Sequence, residues 1–114
     1  MSMHRVYLGQ LTITSGTKPS TAVLNPQELG MARAICIYGP ATLTGAVSIM
    51  VGPKDSTVIG SHVPLKINGT AAVVAAATAN VWEWPGGGSL SLNSASNEGA
   101  DRVFECYAMF DLAD

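Results

Sequence analysis

The stretch Leu43-Thr44-Gly45-Ala46-Val47-Ser48-Ile49-Met50-Val51 decides the fold class. Leu43, Val47, Ile49 and Val51 fall on one phase of a two-residue repeat, with Gly45 between them. Thr44, Ala46, Ser48 and Met50 fall on the other. This is the alternation of a half-buried strand. Upstream, the run Met31 to Tyr38 reads as its paired strand across Gly39-Pro40-Ala41-Thr42. Downstream, Gly52-Pro53-Lys54-Asp55-Ser56 turns the chain, and Val63, Leu65 and Ile67 then share a phase opposite His62, Pro64 and Lys66. Proline cannot donate to a ladder, so that run is expected at a sheet edge.

The outer segments follow the same grammar. Val6 and Leu8 share one phase, Leu11 and Ile13 the other, and the slip at Gly9-Gln10 predicts a β-bulge at Gly9; two separate short strands are the alternative. Asn25-Pro26-Gln27-Glu28-Leu29-Gly30 reads as one helical turn, with Asn25 as cap, Pro26 at the first position and Gly30 at the stop. Asn68-Gly69 reads as a tight turn because this dipeptide accepts positive φ. Thr70 to Trp84 mixes helix-favouring alanines with Val73-Val74, Thr78 and Val81-Trp82; strand is the reading taken, in two pieces split near Ala77–Asn80. Gly86-Gly87-Gly88 connects into a strand carrying Leu90 and Leu92, and Ser94 to Gly99 is a polar loop. Arg102 to Leu112 is apolar on both faces and is expected between two covered surfaces. The sum is an all-β protein: a single-domain β-sandwich or jelly roll over residues 1–114, of about eight strands with one short helical turn.

Composition adds a second constraint. Of 114 residues, 47% are hydrophobic and 12% charged, against about 25% charged in average soluble domains. No run of about 18 apolar residues exists to span a bilayer, so no membrane partner is expected. The missing charge points instead to an exterior covered by other copies or by a larger assembly. Lys18, Lys54, Lys66, Arg5, Arg33 and Arg102 are scattered, without the cluster that nucleic acid requires. Met1 to Tyr7 lacks the apolar core of a secretory signal. Cys36 and Cys106 each sit in an apolar run and are expected as buried thiols, a Cys36–Cys106 bridge being the alternative.

No residue pattern spells a reaction. His4 and His62 are the only histidines, and no nucleophile-elbow motif accompanies them. The cysteines and histidines lack zinc spacing, and the carboxylates form no calcium loop, so no metal or other cofactor is expected. Glu98-Gly99-Ala100-Asp101-Arg102 reads as a turn with an Asp101–Arg102 pair at the strand entrance. Trp82-Glu83-Trp84 places two tryptophans on one face of a strand. They can cap the core, anchor an interface, or stack on a sugar.

Through Leu43–Val51, Gly88–Ser94 and Arg102-Val103-Phe104, the chain resembles small β-rich virion proteins of tailed bacteriophages, most of all capsid decoration (cement) proteins. The likeness lies in size, in Gly/Ala/Ser/Thr-rich strands, in low charge and in the order of the runs. It implies a jelly roll or related sandwich with a structural rather than catalytic activity. The protein would be made in the host cytoplasm and placed on the virion's capsid surface, with the major capsid protein as partner and a dimer or trimer as its own state. The contact candidates are Trp82, Trp84, Tyr107, Met3, His4 and Tyr7. A glycan-binding module of a tail or adhesion apparatus is the alternative, and a small hydrolase using His62 a third reading.

Overall fold

A computed structural model describes residues 3–20, 31–53, 62–84 and 88–111. It is all-β and antiparallel throughout. Its strands are β1 (Met3–Ile13), β2 (Ala34–Tyr38), β3 (Val47–Gly52), β4 (Val63–Pro64), β5 (Lys66–Ile67), β6 (Thr70–Ala71), β7 (Val73–Val74), β8 (Ala79–Glu83), β9 (Ser89–Ser94) and β10 (Arg102–Asp111). The count exceeds the expected eight because the runs around Leu65 and Ala72 break into two-residue pieces. The helical turn expected at Asn25–Gly30 lies outside the described residues.

One sheet has the order β1-β10-β2-β8. In the other, β3 is central, with β9 on one side and β4 and β7 on the other. β5 and β6 form a separate hairpin. Its turn is Asn68-Gly69, with φ of 53° and 80°. Positive φ at both central residues is what a two-residue hairpin with right-handed strand twist demands.

The inner sides of the two large sheets share one hydrophobic core. Leu11, Ile13, Ile35, Ile37, Phe104, Cys106 and Ala108 of the first sheet and Val47, Ile49, Leu90 and Leu92 of the second are each 0% exposed. The predicted bulge is present. Tyr7 pairs with Tyr107 and Gly9 with Cys106, leaving Leu8 as the extra residue, and Gly9 has φ 122°. Because a strand's side chains alternate, that one residue returns Leu11 and Ile13 to the core while Tyr7 points away from it. The strand stays continuous. The 70–84 region is strand as expected, split by a turn at Ala76–Ala77.

Two expectations are corrected. The runs 31–38 and 43–51 do not pair with each other: β2 pairs with β10 and β8, while β3 lies in the other sheet. β2 is buried on both phases from Ala34 to Ile37. It needs a strand on each side and a cover above and below, which a hairpin with β3 could not supply. The segment between them crosses from one sheet to the other.

The second correction concerns Glu98. It does not belong to a solvated loop, and Arg102 pairs with it rather than with Asp101. Glu98 is 1% exposed and accepts from four donors: Thr44 N at 2.8 Å, Gly45 N at 3.1 Å, Ser94 Oγ at 2.6 Å and Arg102 Nε at 2.9 Å. Its own backbone bonds to the 14–17 turn, through Gly16 N to Glu98 O and Glu98 N to Thr17 O. Asp101 instead accepts from Ser15 N at 2.8 Å. Burial by itself would raise the Glu98 pKa. The bonds from Ser94, Thr44, Arg102 and Gly45 outweigh it and hold the carboxyl down to about 2.

A folded-state pKa below the unfolded value stabilises the protein fully above the unfolded value and is lost as pH falls through the folded one. The Glu98 contribution is therefore present above about pH 4.5 and disappears toward about pH 2. Glu98→Gln is expected to cost about 2 kcal/mol at neutral pH by leaving buried donors poorly matched. Urea unfolding repeated across that acid range should show a flatter pH dependence in the variant than in the parent.

Candidate functional site

The register of the first sheet assigns each side chain to one of its two faces. Across its outer face runs the row Tyr7–Tyr107–Cys36–Val81. Beside it lie the row Gln10–Glu105–Tyr38–Ala79 and the row Arg5–Met109–Ala34–Glu83. The chain has 3 tyrosines, and this face holds all of them. Tyr107 is the hub: its ring centroid is 5.2 Å from that of Tyr7 and 5.6 Å from that of Tyr38, both tilted. These are favourable edge-to-face separations. The Arg5 guanidinium lies 4.4 Å over the Tyr107 ring and donates to the Tyr38 hydroxyl at 2.9 Å. On the other side, Glu105 accepts from the Tyr7 hydroxyl at 2.5 Å and from the Gln10 amide at 2.6 Å.

The polar atoms of this face thus satisfy one another, and the rings are left as a prearranged surface. Tyr7 is 51% exposed, Tyr38 38%, Val81 55% and Val103 40%. The hydrogen bond to Glu105, then desolvation and the Glu105 charge, push the Tyr7 phenol up to about 12, so it stays neutral at physiological pH. Rings already ordered lose little entropy on meeting a partner.

Of the six residues expected at a contact, Tyr7 and Tyr107 are brought together here. His4 is exposed near the start of β1 but points to the opposite side, in register with Phe110. Met3 opens β1 opposite Asp111. The two tryptophans do share a face, but it is the inner one. Trp84 is 6% exposed within the core cluster, and Trp82 packs against that cluster from its margin. The core-cap reading therefore describes Trp84, and its area is not open to a partner. Arg5, Tyr38 and Glu105 were not foreseen. Their signal was present: each tyrosine stands on the phase opposite its buried strand neighbours, Tyr107 between Cys106 and Ala108 and Tyr38 after Ile37.

Cys36 and Cys106 are free and buried. They occupy opposite faces of the sheet, since Cys36 is in register with Tyr107 and Cys106 with Ile37. Burial raises the Cys36 thiol, partly offset by Arg5, and pushes Cys106 up to about 12. Both are kept as thiols, the unreactive form.

His62 keeps the phase opposite Val63, on the outer side of the second sheet, but it is buried there. It is 6% exposed, with Nε2 3.1 Å from Ser89 Oγ and Nδ1 2.7 Å from Ser91 Oγ. Ser89 Oγ in turn donates to Pro53 O at 3.1 Å. One neutral tautomer satisfies the whole chain: Ser91 donates to Nδ1, Nε2–H donates to Ser89, and Ser89 donates to the carbonyl. Both serines are 0% exposed, so this chain of hydrogen bonds is closed off from solvent. Among the described residues no group of three or more His, Cys, Asp or Glu side chains converges as metal ligands would. A shallow cleft of about 170 Å³, lined by Leu65, Lys66, Ile67, Asn68, Glu83 and Trp84, opens beside the β5–β6 hairpin.

No family model, no curated protein and no solved structure matches this chain.

Two outcomes follow from this geometry. Trp84→Ala should cost about 3–5 kcal/mol in urea unfolding, as large core truncations do, whereas Tyr7→Ala on the open face should cost far less. In an absorbance titration, one tyrosine of the parent should ionise near about 12, and Glu105→Gln should bring that ionisation down toward the ordinary range.

Proposed function

We propose that this protein is a structural binding module that lays the tyrosine face of its four-stranded sheet on another protein, and specifically that it decorates an assembled phage capsid. The observation that carries this reading is the Tyr7–Tyr107–Tyr38 cluster: three ordered aromatic rings, bordered by Val81 and Val103 and left open on a sheet whose other side is core. Tyrosine and arginine dominate the strongly contributing positions of protein interfaces because they cover area with little entropy to lose. The low charge of the chain, 12%, fits a protein whose exterior is partly covered in use.

The mechanism is mechanical. A rigid module seated across neighbouring major-capsid subunits makes the loss of either subunit break its contacts as well. A contact of standard size buries about 1,600 Å² in total, and many copies on one shell act together. The finer sandwich or jelly-roll description of the two sheets belongs with this proposal. So do the virion location and a state of more than one copy.

The cleft beside Trp84 favours a second reading, a glycan-binding module. Glu83, Asn68 and Lys66 offer hydrogen-bonding groups in a cleft that Trp84 also lines, and a sugar bound there would alter tryptophan fluorescence saturably.

Cosedimentation with undecorated tailed-phage capsids separates the readings. The Tyr7→Ala/Tyr38→Ala double variant should keep its melting temperature within a few degrees and lose at least about tenfold in capsid affinity, as truncation of aromatic anchors does. Undiminished capsid binding by that variant would remove the tyrosine face from the mechanism.

A further inference from the structure

The two large sheets present several edges to solvent, and they are not treated alike. β1 carries the Gly9 bulge and the charged Arg5. β4 is two residues long and contains Pro64, and β7 is also two residues long. The edge of β9 is covered by residues 18–20, through the Pro19–Asn93 bridge and the bonds Ser20 N to Leu92 O and Ser94 N to Lys18 O. Bulges, prolines, charges, short strands and covering segments are the devices by which proteins blunt exposed edges. β8, Ala79-Asn80-Val81-Trp82-Glu83, has none of them among the described residues except the single charge of Glu83 at its end.

The unpaired backbone groups of β8 can be identified. Trp84 N bonds to Arg33 O, and Gly39 N bonds to Thr78 O. Bonded and non-bonded pairs alternate along an antiparallel ladder. In this register Trp82–Ile35 and Asn80–Ile37 are therefore the bonded pairs. The N–H and C=O groups of Ala79, Val81 and Glu83 point away from the sheet. All three residues are exposed, Val81 by 55%.

We infer that β8 is a self-pairing edge, through which two copies of this chain join antiparallel about a two-fold axis at Val81. The strand is self-complementary about that residue. Val81 meets Val81 of the second copy, Ala79 meets Glu83, and Asn80 meets Trp82, so no like charges oppose each other. The outward groups supply about six backbone hydrogen bonds in this register, and symmetric pairing closes the edge against further growth. The joined sheet makes one continuous outer face, because the Tyr7–Tyr107–Cys36–Val81 row runs into its own mirror sequence on the second copy. The inference needs only the protein itself and stands apart from the identity of any larger partner.

Five residues a side make a small interface, below about 1,200 Å², so the dimer is a concentration-dependent one. Sedimentation velocity should show the mass rising from monomer toward dimer between about 10 µM and about 1 mM. Over the same range, hydrogen exchange at the amides of Ala79, Val81 and Glu83 should slow, while Asn80 and Trp82, already bonded to β2, should not change. Val81→Lys sets two ammonium groups against each other at the axis and should weaken association at least about tenfold without loss of fold. A monomer across the whole range, exchange at the three amides independent of concentration, or undiminished association of Val81→Lys would each overturn the inference.

Discussion

The buried carboxylate of Glu98 is the constraint on which the rest of this structure depends. Among the described residues it is the one buried carboxylate, and it collects the segment before β3, the β9–β10 connection and the first residue of β10 around one pair of oxygen atoms. A buried carboxylate without partners would cost several kcal/mol. With two backbone amides, a hydroxyl and a guanidinium it becomes a satisfied junction of these loops. It ties down the segment by which the chain crosses between sheets at residues 39–46. Thr44 N and Gly45 N are committed to Glu98, and Pro40 O and Gly39 N to the turn before β8.

From that junction the two sheets diverge with different duties. The second sheet packs its inner leucines and valines and fills its outer side with the Ser89–His62–Ser91 relay, so the serines of that side of β9 are bonded within the protein. The first sheet keeps one face for the core and leaves the other as an aromatic layer. The bulge at Leu8–Gly9 allows this division within a single strand, since it inverts the facing of everything before it. Without the extra residue, either Tyr7 or the Leu11–Ile13 pair would point the wrong way.

The electrostatics of the outer face follow the same economy. Arg5 and Glu105 stand on opposite sides of Tyr107, and each is engaged by tyrosine hydroxyls or a neighbouring amide. The charges of Arg5 and Glu105 on this face are therefore each engaged by its own polar groups. Cys36 lies beneath this layer as a small apolar filler, with its thiol kept protonated by burial.

Local pattern alone determined a good deal: the all-β class, the bulge at Gly9, the Asn68-Gly69 turn, the edge position of Pro64 and the strand character of 70–84. These are legible because φ preferences and two-residue alternation act over a few neighbours. What only the tertiary structure decided was partnership. Alternation marks which side of a strand is apolar but not which strand lies beside it, so the separation of β2 from β3 could not be read. A carboxylate in a Ser/Asn/Gly loop looks solvated until the Thr44 and Gly45 amides of a distant segment join Ser94 and Arg102 around it. Trp82 and Trp84 share a face by spacing, but whether that face is core or surface depends on which sheet covers it. The tyrosine face exists only once residues 7, 38 and 107 are placed on adjacent strands, because hydrogen-bonded register, a long-range property, is what turns three separate residues into one surface.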